Sequence, residues 1–247
     1  MSGHSKWHSI KHKKALIDAK RGKLFTKVIK ELQIASRIGG SDVGSNPRLR
    51  TAVQAAKDVN LPKETMDRAI KKGAGELEGQ AIEEMIYEGY GAAGVAILVE
   101  ASTDNRNRAA SEVRHAFTKY GGNLGSTGCV GYLFDRKGVI EAEHDNDDAL
   151  MEIALEAGAD DIKSEEGYHE VYTNPEEVQQ VRDELEKAGI KVTLSSIKYI
   201  PQVTPTVTAD EARSVLKLIS VLEQNDDVDE VYTNLNIPDE LAAELEE

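Results

Sequence analysis

Three histidines at four-residue spacing, His4, His8 and His12, open the chain, and on a helix they would align three imidazoles as a metal site does. Lys6, Lys11, Lys13 and Lys14 lie among them with no acid nearby, so a divalent cation meets repulsion. Imidazoles beside lysines and Trp7 instead fit phosphate contact and base stacking. The glycine-rich run Gly-Gly-Asn-Leu-Gly-Ser-Thr-Gly at 121–128 invites comparison with a phosphate loop. Such loops follow a strand and open a helix, whereas this one follows a helical pattern, precedes a strand pattern and lacks a Gly-Lys-Ser/Thr. Its glycines read as a turn that lets the backbone pass close to a neighbour. Cys129 is the sole cysteine, so it makes no internal disulfide and no thiolate zinc cluster, and it reads as a small packed residue near a strand. No Ser-His-Asp order, Cys-His pair or two-carboxylate context stands out from the acidic background. The expectation is therefore no catalytic residue, no metal, no cofactor and no small-molecule substrate.

The charge of -14 argues against nucleic acid only if it is spread evenly. Residues 1–75 hold 17 Lys+Arg against 6 Asp+Glu, while the remaining 172 residues hold 13 against 38. A segment so positive concentrates polyanions, and the acidic remainder repels them and restricts binding to one face. No apolar run approaches the roughly 20 residues of a membrane span, and the N-terminus lacks a secretory signal, so no membrane partner is expected. The lysine-bearing, arginine-free first 17 residues fit an organellar transit peptide poorly. One cysteine suits a reducing cytoplasm.

The elements that must position these residues follow from periodicity. Residues 1–14 have almost no apolar pattern and read as a basic arm that orders on its target. From Lys23 to Arg37, Phe25, Val28, Ile29, Leu32 and Ala35 recur at three and four, leaving Lys27 and Lys30 largely on other faces, and Gly39-Gly40 stops the helix. Asn46-Pro47 starts a second helix with Leu49, Val53, Ala56 and Val59 inward beside Arg48, Arg50 and Lys57. Pro62 opens a third with Lys71 and Lys72 in its last turn and Gly73 as cap. The result is a small helical bundle with a basic skin.

Period two then takes over: Met85–Tyr90 and Gly94–Glu100 read as a hairpin, followed by a helix from Asn105 to Tyr120 capped by Thr103 or Asp104. Arg106, Arg108 and Arg114 on that helix offer a second anionic contact surface beside the plainer reading of a solvated face. Strands are expected at Val130–Asp135 and Val139–Glu143. A β-α-β-β-α-β order runs from there to Ser195 and predicts a ferredoxin-like unit. Glu170-Val171-Tyr172-Thr173-Asn174 reappears as Glu230-Val231-Tyr232-Thr233-Asn234, read as an echo between two α+β units, with shared strand composition as the alternative. If the echo holds, the last segment closes the sheet begun at Met85. The fold expected is α+β with three domains, a helical bundle followed by two ferredoxin-like α+β domains, one inserted in the other. The expected boundaries are a flexible arm at 1–14, a helical basic domain at 15–76, a discontinuous domain at 82–135 plus 201–247, and an inserted domain at 136–200.

Several separated segments together carry a resemblance: Met-Ser-Gly-His-Ser-Lys-Trp at the start, Arg21-Gly22-Lys23-Leu24-Phe25, Asn46-Pro47-Arg48-Leu49-Arg50, and Tyr87-Glu88-Gly89-Tyr90-Gly91. The chain resembles the YebC/PmpR family nearly end to end. The resemblance implies a three-domain protein, and either a DNA-binding transcriptional regulator or a ribosome-associated translation factor. It favours Lys6, Trp7, Lys11, Lys13, Lys14, Arg21 and Lys23 as contact residues; many family members carry Pro where this chain has Ala92, a local turn difference. The residues themselves add His8, Lys27, Arg48, Arg50, Lys71 and Lys72.

The expected partner is nucleic acid, DNA or ribosomal RNA, together with the ribosome itself. Arg48, Arg50 and Lys57 suit phosphates, and only Gln54 and Asn60 offer amides to adenine edges, so the arm's lysines, histidines and tryptophan lean the reading toward RNA. An enzyme working in a cleft between the α+β domains is the competing class, and a protein-binding scaffold without nucleic-acid affinity is a third.

Overall fold

The structure, a computed structural model, describes residues 17–238 apart from residues 80 and 166, with side chains from Leu24 onward except that of residue 58. Three helices come first. α1 (Ile17–Gly39) buries Val28, Leu32 and Ala35 against α2 (Pro47–Asp58) and α3 (Lys63–Gly73), which contribute Leu49, Ala52, Ala56, Met66 and Ala69.

One buried side chain joins the first two helices. Asn46 is the N-cap of α2, its Oδ1 accepting the Leu49 N–H at 3.1 Å. Its Nδ2 donates to the carbonyls of Ala35 and Gly40, both at 2.8 Å, which carries α1 past Arg37 to Gly39. Asn46→Ala is therefore expected to cost about 2 kcal/mol, from the missing cap and the unsatisfied carbonyls, read as a lower midpoint in urea unfolding. A shift equivalent to less than about 0.5 kcal/mol contradicts this role. Gly73 is the last residue of α3 and not its cap, which is Ala74, with Gly75 taking φ +79° just beyond. Ser36 Oγ donates to the Ile70 carbonyl at 2.8 Å, tying α1 to α3.

β1 (Glu83–Tyr90) and β2 (Ala96–Thr103) form the expected hairpin, and α4 (Arg106–Lys119) follows. The cap of α4 is Asn105, whose Oδ1 accepts the Arg108 N–H; Thr103 Oγ1 instead accepts the Asn105 N–H. After the short β3 (Asn123–Leu124) the chain makes a 3-10 turn at Gly131–Leu133. It returns with α7 (Ala209–Gln224) and β8 (Val228–Thr233), giving an antiparallel sheet in the order β3-β1-β2-β8. Ile97 and Val99 of β2 pack with Val113 and Phe117 of α4 and Val215, Leu218 and Leu222 of α7. Burying each such side chain contributes about 1.5–3 kcal/mol.

The intervening residues, Tyr132–Thr204, form a compact unit of their own. It contains β4 (Phe134–Glu143), α5 (Asp147–Ala157), β5 (Asp161–Glu165), β6 (Tyr168–Thr173), α6 (Val178–Lys187) and β7 (Lys191–Pro201). The order β5-β6-β4-β7, antiparallel throughout, is ferredoxin-like. The two strands expected at 130–135 and 139–143 are a turn and one continuous strand. Arg136-Lys137-Gly138 reads as a break, yet β7 pairs with β4 from Phe134↔Pro201 to Glu143↔Lys191 and holds it extended. Gly138 is there for closeness: a Cβ would stand 2.4 Å from Thr173 Oγ1. The architecture is α+β, with the second α+β domain inserted in the chain of the first. Both copies of the Glu-Val-Tyr-Thr-Asn string lie on strands, β6 and β8, and each places its first glutamate across from another, Glu170 from Glu141 and Glu230 from Glu100.

Candidate nucleic-acid interface

The helical domain brings its basic residues to the surface in two groups, distinguished by what they already touch. In the first group, Lys27 Nζ donates to the Asp229 carbonyl of β8 and lies 3.8 Å from the Glu230 carboxylate. Lys30 Nζ donates to the Asp226 carbonyl at 2.6 Å and lies 3.9 Å from the Asp229 carboxylate. Arg48 forks onto Glu31 at 2.6 and 2.8 Å and reaches Glu84 of β1 at 2.7 Å. The hydrogen bond to Glu31 leads in raising the Arg48 guanidinium further above its ordinary value. Burial pushes the Asp229 carboxyl up, against the Ser102 hydrogen bond and the Lys30 and Lys27 charges that pull it down. Arg50 donates to the Gly44 carbonyl at 2.7 Å and holds the α1–α2 loop.

The second group is uncommitted. Arg37, Lys57, Lys63, Arg68 and Lys71 are exposed and Lys72 is half-buried, none with an ion pair among the described residues. Lys57 and Lys63 also stand on the rim, with Asn60 and Asp67, of a groove of about 570 Å³ between α2 and α3. Its lining includes Val43, Val53, Leu61, Met66 and Ile70. Periodicity sets Lys57 off the apolar face of α2, but Lys63 and Arg68 are diluted in the sequence by Glu64 and Asp67. Asn60, with φ of +58°, stands in the turn between the two helices at this groove.

Lys6, Trp7, His8, Lys11, Lys13 and Lys14, with the His4/His8/His12 spacing, lie outside the described residues. Arg21 and Lys23 fall within α1, and their side chains lie outside the described ones. Of the α4 arginines, Arg108 is engaged by Asp227 at 3.0 Å and Asp104 at 3.1 Å, and Arg106 lies 3.4 Å from Glu83. Arg114 is exposed.

The end of the glycine run and the residues just after it do bind an anion, but one the chain supplies. Glu88 of β1, 6% exposed, accepts the backbone N–H groups of Gly128 at 2.7 Å, Val130 at 2.8 Å and Gly131 at 2.7 Å. Gly128 takes φ +87°, which turns these donors toward one carboxylate. Burial drives the Glu88 carboxyl up, and the three N–H donors outweigh it and hold it below the ordinary carboxylate range. The Tyr90 hydroxyl donates to the Cys129 carbonyl at 2.8 Å and fastens the same loop. Burial, with the Glu88 charge adding to it, pushes the Cys129 thiol up and leaves it a poor nucleophile at neutral pH. Sequence order rules against a phosphate loop without revealing Glu88, whose partners lie some 40 residues away.

No helix among the described residues is long and apolar enough to cross a membrane. The described helical domain carries exposed cations in a chain whose α+β remainder is acidic, and comparison with known proteins shows its family. Residues 5–76 match the TACO1/YebC protein N-terminal domain and residues 82–235 the TACO1/YebC second and third domain. The chain belongs to the TACO1/YebC family. It is 54% identical over 248 residues to a protein of Syntrophus aciditrophicus, covering 99% of each chain, and 53% identical over 244 residues to one of Aquifex aeolicus, covering 98% of each; both are named probable transcriptional regulatory proteins. The crystal structure of a conserved hypothetical protein from Aquifex aeolicus superposes with a TM-score of 0.85 at 52% identity, covering 93% of this chain and 96% of that one.

Proposed function

We propose that this chain is a non-enzymatic regulator of gene expression that grips the phosphate backbone of RNA, in the setting of the ribosome, with its helical domain and N-terminal arm. The observation that carries the reading is the set Arg37, Lys57, Lys63, Arg68 and Lys71, exposed and unpaired among the described residues of a chain whose net charge is -14. Cations left unpaired beside so many carboxylates are available to an external polyanion, and the acidic remainder turns that polyanion toward the helical face. Arg50 and Lys72, with Arg21, Lys23 and the arm's Lys6, His8, Lys11, Lys13 and Lys14, extend the same surface, and Trp7 supplies a stacking ring. The groove between α2 and α3 has an apolar lining and a lysine rim, which suits an unstacked base whose phosphates the lysines neutralise. Regulation comes from binding and release, without turnover.

The names of the relatives favour a second reading, control of transcription on duplex DNA. Direct readout needs a helix that offers several base-reading side chains to the major groove. Here Arg48 is held by two carboxylates and Arg50 by a loop carbonyl, so neither is presented as a base-reading fork. Such a helix supports phosphate contact with low sequence preference.

Replacing Lys57, Lys63, Arg68 and Lys71 by alanine is expected to weaken binding to a labelled single-stranded RNA and to lower the log-log salt slope by about 0.7 for each phosphate no longer neutralised. Circular dichroism should stay that of the parent, since none of the four is buried. An unchanged slope in a folded variant contradicts the assignment of this face.

A further inference from the structure

The three cations of the helical domain that already have carboxylate partners define a second surface. Lys27 and Lys30 lie on α1 and Arg48 at the start of α2, where Glu31 of α1 joins them. Their partners come from the sheet, Asp226, Asp229 and Glu230 at β8 and Glu84 on β1, with Glu31 of α1 sharing Arg48. β8 is an edge strand, and its Asp229 carbonyl and Asp229 and Glu230 carboxylates, with the Asp226 carbonyl just before it, meet the two lysines. Lys27, Lys30 and Arg48 thus face a cluster of anionic and carbonyl oxygens, the kind of acceptor that phosphates also offer.

We propose that this face of the helical domain is a latent phosphate-binding surface, occupied by the acidic edge of the α+β sheet, and that RNA displaces that edge as it binds. The proposal rests on the nucleic-acid reading above and extends it to residues already paired. The core of the helical domain and that of the sheet are separate clusters, and the contacts named across the seam are ion pairs and lysine–carbonyl hydrogen bonds. The Lys27–Glu230 pair is 38% and 47% exposed and the Arg48–Glu84 pair 39% and 46%, and pairs this exposed shift an equilibrium by about twofold to fivefold each, while the Lys30–Asp229 pair, at 12% and 27%, is the enclosed one that RNA has to outcompete. An RNA strand brings many phosphates and releases counterions for each, so it competes with the carboxylates on favourable terms. Full engagement then separates the edge from the helical domain and adds three cations to the binding surface.

The test combines affinity with geometry. Glu84→Gln, Asp229→Asn and Glu230→Gln together neutralise the sheet side of the seam; Glu152→Gln, Glu156→Gln and Asp183→Asn in the inserted domain remove the same charge elsewhere. A fluorescently labelled single-stranded RNA of mixed sequence is titrated against both variants and the parent, with thermal melting to confirm that each folds. The seam variant is expected to bind at least about fivefold more tightly than the equal-charge control. Independently, spin labels on Ser41→Cys and Asn107→Cys, in a Cys129→Ser background with the seam intact, should move apart when RNA is added. Seam-variant affinity within twofold of the control, or a label separation that saturating RNA leaves unchanged, overturns the proposal while leaving the nucleic-acid reading standing. Absence of RNA binding by parent and variants alike at low salt removes that reading and this one with it.

Discussion

Glu88→Ala is expected to lower the unfolding free energy by about 3 kcal/mol and to free the 125–131 loop. The three N–H groups that converge on this carboxylate are left without an acceptor, and a buried unsatisfied donor costs about 1–3 kcal/mol, offset in part by water reaching the open side of the loop. Hydrogen exchange gives the local readout: the amides of Gly128, Val130 and Gly131 should exchange far faster in the variant. Glu88→Gln keeps one acceptor but turns an amide N–H toward a donor, and should fall between the two. The pH dependence follows from the depressed carboxyl. The unfolded chain binds a proton at higher pH than the folded one, so the Glu88 contribution is full above the unfolded carboxylate range. It fades as pH falls through the folded value. The stability gap between parent and Glu88→Gln should therefore close in acid and be widest at neutral pH. A gap that widens on acidification, or amides that stay protected in Glu88→Ala, contradicts the role assigned to this residue.

Removing residues 1–14 is expected to give the largest loss of RNA affinity of any single change. The segment holds Lys6, Lys11, Lys13 and Lys14, and four phosphate contacts correspond to a fall in the log-log salt slope of about 3 on single strands. Trp7 adds stacking of about 1–3 kcal/mol when a base is available to it. Trp7→Ala separates the two contributions: it should weaken binding at every salt concentration and leave the slope unchanged. The α+β domains should melt as in the full chain. Equal binding curves for truncated and full-length protein from low to moderate salt contradict the arm's role, and in that case the α2–α3 face carries the binding alone.

The helical domain and the inserted domain are legible in the sequence because their signals are local. Asn46-Pro47 marks a helix start whatever the tertiary context, and the stripe from Phe25 to Ala35 faces one core. The order of helices and strands from β4 to β7 likewise follows from period and turn residues alone. What local signals cannot supply is long-range partnership. Arg136-Lys137-Gly138 resembles a turn because nothing nearby reveals the 11-residue β7 that holds it in a strand. The glycine run reads as a close approach, which Gly122 makes against the Tyr90 carbonyl, but the carboxylate that anchors its end, Glu88, lies 40 residues before Gly128 and is one acid among many. The same limit applies to the interface. Lys27 and Arg48 are indistinguishable from Lys57 and Arg68 in the sequence, and only the fold shows that the first two face Glu230 and Glu84 while the others face solvent. The echoed Glu-Val-Tyr-Thr-Asn string is informative because strands keep their residue pattern in place: β8 does join the sheet begun by β1.

The central claim, RNA on the ribosome in preference to promoter duplex, is tested most directly by one comparison at physiological salt. Lysate containing the protein is sedimented through a cushion, and the same protein is footprinted on duplex DNA spanning promoters of its source genome. The expected result is co-sedimentation with ribosomes that disappears on removing residues 1–14, and diffuse, sequence-indifferent protection of DNA that fades as salt rises. A compact, sequence-dependent footprint on promoter DNA, with no protein in the ribosomal fraction under the same conditions, would contradict it and establish the transcriptional reading instead.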